Sequence, residues 1–165
     1  MKRANSSMQL TRAADYGVRV MIELAALSPD ARVSLPSLAR ATGAPESFLS
    51  KVLQSLTRAE LITSQRGQSG GFRITLRGRQ ASMLEVIEAI DGAICLNVCL
   101  MHGRSCPRKA RCPAHPVWAK AQQTMLQVLS GVSVAGMATQ ASAGRPSRSA
   151  SGMDVIYLPA KAVRR

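Results

Sequence analysis

The chain has 165 residues and a formal charge of +13, from 22 Lys and Arg against 9 Asp and Glu; this length suits one domain with extensions rather than two full domains. That excess of positive charge exceeds what solubility requires and points to a polyanionic partner, nucleic acid first. No apolar run reaches the roughly 18 residues of a membrane span and the N-terminus lacks the apolar stretch of a signal peptide, so no membrane association and a cytoplasmic location are expected.

Aromatics are only 3% of the chain, so the core is expected to consist of Leu, Ile, Val, Met and Ala, and the fold to be mainly α with a small β-hairpin. Residues 1–9 read as a leader without structural weight. Thr11 is a plausible N-cap for a helix to about Leu27, whose apolar positions Ala14, Val18, Met21, Ile22 and Ala25 follow helical spacing. Ser34 can cap a short helix that stops at Gly43, and Pro45 suits the first turn of another. In that next helix Leu49, Val52, Leu53 and Leu56 form an apolar stripe, while Glu46, Ser47, Ser50, Lys51, Gln54 and Arg58 face the other way. Two short helices joined by a glycine turn make a helix-turn-helix.

After Glu60 the period changes: residues 61–64 and 72–76 read as strands around a glycine-rich tip that carries Arg66 and Gln68. A helix-turn-helix followed by a basic hairpin is the plan of a winged helix, expected over residues 10–80. A linker helix follows within residues 81–93, and a cysteine loop occupies residues 94–115. Over residues 114–135, Ala114, Trp118, Ala121, Met125, Val128 and Val132 step by four and three as a coiled-coil seam does, which predicts a dimerisation helix. Residues 136–165 are rich in Ala, Ser, Gly, Pro and Arg, and read as a disordered basic tail.

Two groups of residues carry the chemistry. Ser47, Ser50, Lys51 and Gln54 share a polar helix face of the kind that touches base edges and phosphates in a major groove, while Arg66, with Gln68 beside it, suits the adjacent minor groove. The second group is Cys95, Cys99, Cys106 and Cys112, four thiols within 18 residues, followed by His115. In a reducing compartment such clustering indicates a metal or redox site rather than disulfides. Spacing alone does not separate zinc from an iron-sulfur cluster, but the missing Cys-x2-Cys knuckles tilt toward the cluster. Arg104, Arg108, Lys109 and Arg111 supply a field that favours thiolates. No Cys-x-x-Cys redox pair, nucleotide loop or paired carboxylate site is visible, which weighs against an enzyme.

Several segments together resemble the IscR/NsrR (Rrf-two) family of bacterial winged-helix regulators, over Met8 to about Ala138. They are the opening Met8-Gln-Leu-Thr-Arg-Ala-Ala-Asp15-Tyr16, the wing Arg66-Gly-Gln-Ser-Gly-Gly71-Phe, the helix Glu85-Val-Ile-Glu-Ala-Ile-Asp-Gly92, and Cys106-x5-Cys112-Pro-Ala-His115-x2-Trp118. The resemblance implies a homodimeric transcriptional regulator on palindromic double-stranded DNA, a repressor or switchable regulator that senses nitric oxide, oxidant or iron supply. It further implies that Cys99, Cys106 and Cys112 hold an iron-sulfur cluster, with His115 matching the histidine of an IscR-type [2Fe-2S] site. Asp15 matches the acidic residue that, from the other protomer, completes a [4Fe-4S] cluster in NsrR-type sensors; a carboxylate in a helix's first turn is also favoured by the dipole alone. The six residues between Cys99 and Cys106 are one more than the IscR-type spacing, and Cys95 is additional, a further alternative ligand. A thiol sensor without a cluster is the competing expectation.

Overall fold

The computed structural model describes residues 10–67, 70–101, 106–143 and 155–156. Its first helix, α1 (Arg12–Ala25), begins where Thr11 Oγ1 accepts the N–H of Ala14 at 3.2 Å. A two-residue strand β1 (Arg32–Val33) precedes α2 (Leu35–Thr42), whose cap Ser34 accepts from Ser37 N. Gly43 then takes a left-handed φ of 70° and hands the chain to α3 (Glu46–Arg58), as a helix-turn-helix requires.

Strands β2 (Ile62–Gln65) and β3 (Gly71–Ile74) form the expected hairpin, in register Ile62 with Ile74 and Gln65 with Gly71. Two features differ from the sequence expectation. The second strand stops at Ile74, because Thr75 caps a short helix α4 (Leu76–Gln80) by accepting from Gly78 N at 2.8 Å. The sheet is also larger than a hairpin, with antiparallel order β2-β3-β1-β4.

The linker helix α5 (Met83–Asp91) starts with a reciprocal capping box. Ser82 N donates to Glu85 Oε2 at 2.8 Å, and Glu85 N to Ser82 Oγ at 3.2 Å. The bond from the Ser82 backbone, then that from its hydroxyl, holds the Glu85 carboxyl below its ordinary value. Helix α6 (Ala114–Ser130) follows the cysteine loop, and its observed end precedes the expected boundary at 135.

Of residues 136–165, read from composition as disordered, 136–143 and 155–156 differ from that reading, while 144–154 and 157–165 lie outside the described residues. Helix α7 (Val134–Ala143) covers the first part, and β4 (Val155–Ile156) pairs with β1. Val134 and Ala138 are buried, and Met137 packs on the same core. This i, i+3, i+4 stripe makes a helix worth ordering despite small neighbours. The chain entering α7 is clamped by Met83 N to Val132 O and Val134 N to Ala81 O, each 2.9 Å.

The core lies where α1 meets α3, α5 and α7. Met21, Leu24, Leu49, Leu53, Leu56 and Ile87 are among its fully buried side chains. Because neighbours cover α1 on more than one side, Val20 and Leu24 are buried beside the expected stripe.

Candidate functional site

Helix α3 turns Leu49, Val52, Leu53 and Leu56 into the core, which leaves Ser47, Lys51, Gln54 and Arg58 exposed and Ser50 half-buried. Between α3 and the wing lies a groove of about 430 Å³, lined by Ser50, Gln54, Thr57, Arg58, Ser64, Gln65, Arg66 and Phe72. Three residues expected to touch DNA, Ser50, Gln54 and Arg66, therefore converge on one surface. Lys51 instead borders a smaller concavity of about 190 Å³ with Ala13, Phe48, Val52, Ser55 and Ile90, toward α1 and α5. Ser47 lines neither, and Gln68 lies outside the described residues.

Sequence reasoning missed Thr57, Ser64 and Gln65, and set Arg58 on the polar face of the helix without a part in DNA contact. Helical spacing from Ser50 through Gln54 to Thr57 was the available signal, but which strand residues face that stripe depends on the β2–β3 register. Arg58 Nη2 donates to Ser55 Oγ at 3.3 Å, and neither Arg58 nor Arg66 is ion-paired among the described residues. Their charge is available to an anion.

The cysteine loop begins just past α5. Cys95 Sγ donates to the carbonyl of Asn97 at 3.0 Å, and Leu96 N donates to Gln122 Oε1 at 3.0 Å, which pins the loop to α6. Cys99 lies in a 3-10 turn, Val98–Leu100. Cys106 O accepts from Lys109 N at 3.0 Å, and Cys112 O from His115 N at 3.2 Å, so Cys112 lies just before α6 and His115 in its first turn. All four cysteines are free and, like His115, half-buried. Among the described residues, no three Cys, His, Asp or Glu side chains come together as ligands for one ion. Asp15 is engaged with Arg19 at 2.8 Å, one turn along α1. Residues 102–105, Arg104 among them, lie outside the described residues.

Two further contacts bear on the loop. Thr11, the cap of α1, donates from Oγ1 to Asp91 Oδ1 at 2.7 Å, and Asp91 is the last residue of α5. Helix α6 rests on α5 and on the 3-10 turn that holds Cys99, yet none of its residues is buried. Val117 is 66% exposed and Val128 63%. Of the expected seam, Trp118 and Met125 are half-buried, while Ala114, Ala121, Val128 and Val132 are exposed. No helix among the described residues is long and apolar enough to cross a membrane.

The chain is similar to protein aau3 of Rhizobium meliloti (strain 1021), at 31% identity over 77% of this chain and 82% of that one. It is similar to the HTH-type transcriptional regulator IscR of Aliivibrio salmonicida (strain LFI1238), at 29% identity over 77% of this chain and 75% of the relative. The solved structure of T. potens IscR shares the fold, with a TM-score of 0.65 at 24% identity, over 87% of this chain and 95% of that one. The Rrf2 family model, described as an iron-dependent transcriptional regulator, matches residues 10–140. With a winged helix, a basic groove between α3 and the wing, a family model over most of its length and relatives such as IscR named as transcriptional regulators, the chain belongs to the Rrf2 family of helix-turn-helix transcriptional regulators.

Proposed function

We propose that the protein acts as a homodimer on palindromic double-stranded DNA, with α3 in the major groove and the Arg66 wing beside it. The observation that carries this reading is the α3–wing groove, where amide and hydroxyl groups able to read bases sit beside the Arg58 and Arg66 guanidinium groups, able to hold phosphate. Two such modules on one molecule match two half-sites about one helical turn apart. Repression of the genes beyond the operator, by occupying it, is the regulatory outcome we propose.

We further propose that Cys99, Cys106 and Cys112 hold an iron-sulfur cluster, with His115 as the fourth ligand. Three soft thiolates and an imidazole are the donor set such a group takes, and all four residues are within solvent reach. The Cys95 thiol, turned onto the Asn97 carbonyl, is not needed in this set. When bound, the cluster supplies a centre whose redox and ligand state responds to nitric oxide, oxidant or iron supply. The chain's own part is mechanical: Gln122 fixes the loop to α6, and α5 connects the loop to the winged helix. A second reading, sensing by bare thiols, is favoured by one observation. No three of these donors are gathered among the described residues.

Anaerobic purification with iron, sulfide and visible-absorption measurements tests the two. Cys106→Ser and Cys112→Ser are expected to lose the colour, His115→Ala to shift or weaken it, and Cys95→Ser to keep it. A colourless parent whose operator binding responds reversibly to mild oxidation would establish the thiol reading instead.

A further inference from the structure

Among the described residues, two buried side-chain polar atoms have no hydrogen-bond partner: Arg32 Nη1 and Thr63 Oγ1. They belong to different strands, yet the sheet sets them in one row. Thr63 pairs with Arg73 across β2 and β3, and the register that sets Val33 against Phe72 puts Arg32 on the other side of Arg73. With neighbouring strands roughly 4.8 Å apart, the row Thr63, Arg73, Arg32 spans about 10 Å. Side chains alternate between the faces of a strand, so this row lies on the face opposite Ser64 and Phe72, which line the α3–wing groove.

By itself this row is unfavourable twice over. Two guanidinium groups directly opposite each other in a sheet repel, and a buried donor without an acceptor forfeits the hydration it had in the unfolded chain. Asp30 reaches Arg73 with Oδ1 3.5 Å from Nη1, but its side chain is 81% exposed, so it neutralises Arg73 weakly and does not serve Arg32 Nη1. Arg73 is itself 37% exposed, which opens the row to solvent at its centre. The planar fork of an arginine suits an oxyanion, and a threonine hydroxyl adds a donor free to rotate toward one.

We propose that Arg32, Arg73 and Thr63 form a site for a phosphate group on the outer face of the wing sheet. The two guanidinium groups hold its charge, and Thr63 Oγ1 donates to one of its oxygens. Because the row faces away from the α3–wing groove, the phosphate belongs to a free small molecule rather than to the DNA backbone. The site stands independently of the DNA-binding reading, which shares with it the strands but none of these three side chains.

The test uses the full chain and inorganic phosphate, titrated at constant ionic strength set with chloride. NMR should find saturable shifts of the Arg32 and Arg73 side-chain Nε–H signals and of the Thr63 amide. Arg32→Gln and Thr63→Val should each weaken phosphate binding by about tenfold, the loss expected for one hydrogen bond to a charged group. In chloride alone, Thr63→Val should keep or raise the parent Tm, because the hydroxyl it removes has no partner; what it should lose is the rise in Tm that phosphate gives the parent. Should Arg32→Gln fail to fold, the parent shifts and Thr63→Val still decide. Shifts confined to Arg58 and Arg66, or phosphate affinity unchanged in Thr63→Val, overturn the site. A second arm separates the two sources of phosphate: Arg73→Gln should leave the salt dependence of operator binding as it is in the parent. A fall in that slope of about 0.9, with no binding of inorganic phosphate, would give the row to the DNA backbone and overturn the free-molecule assignment. A parent that binds phosphate here and no DNA would sink the regulator reading and leave this site standing.

Discussion

Gly78 sits where α4 crosses the end of β2, and a Cβ there would collide with the carbonyl oxygen of Leu61. That oxygen cannot give way easily, because it accepts from Thr75 N at 3.1 Å and from Thr75 Oγ1 at 3.0 Å. Alanine would gain about 1 kcal/mol of helix preference but force a backbone shift, so Gly78→Ala is expected to cost about 2 kcal/mol net. Gly17 provides the contrast. Its missing Cβ would meet Ile90 Cδ1, the free end of a half-buried side chain, with Val52 Cγ1 next at 3.5 Å. Since Ile90 can rotate, Gly17→Ala should change stability by less than about 1 kcal/mol. Urea denaturation of both variants checks the order; equal destabilisation would show that the Leu61 carbonyl yields as readily as a methyl group. Neither constraint is legible in the sequence, where Gly78 follows a run that reads as a strand.

At the scale of elements, the proposed DNA-binding mode has α3 and the wing separate affinity from specificity. Arg58→Ala and Arg66→Ala should each weaken binding to every DNA sequence and lower the salt slope by about 0.9 for each phosphate no longer neutralised. Gln54→Ala should leave that slope alone and relax base preference by about 1–3 kcal/mol at its position. Lys51→Ala should do less than either arginine change, because Lys51 borders the concavity toward α1 and α5. Binding isotherms at several salt concentrations decide; a Gln54 effect uniform over all sequences would place that side chain on phosphate.

The helices of the winged helix were legible because burial on one face imposes a period that residues such as Leu49, Val52, Leu53 and Leu56 display directly. Strand β1 was not, since two residues carry no period and Val33 becomes a strand only by pairing with Phe72 and Val155. Helix α7 was hidden by averaging: Val134, Met137 and Ala138 keep helical spacing inside a stretch whose composition reads as tail. In the candidate site, the polar face of α3 was visible from spacing, whereas its union with Ser64 and Gln65 required the hairpin register.

For the whole molecule, α6 is the element that a single chain leaves unfinished. Val128 is 63% exposed, so Val128→Glu should be nearly neutral for an isolated protomer. In a dimer that pairs α6 with its copy, the same change buries an uncompensated charge at a cost of several kcal/mol. Sedimentation at micromolar concentration should find monomers, with the helical circular dichroism of the parent kept; a stable Val128→Glu dimer would move the seam elsewhere. The bond from Thr11 to Asp91 has its own consequence at this scale. It joins the first residue before α1 to the last residue of α5, immediately ahead of the cysteine loop, so neither end can shift without doing work on the other. Coupling of that kind is reciprocal in free energy: if a change at the loop alters operator affinity by some factor, operator alters the loop's affinity for its effector by the same factor. On the sensor reading proposed above, the protein bound at its operator would therefore respond to its signal at a different concentration from the same protein free in solution.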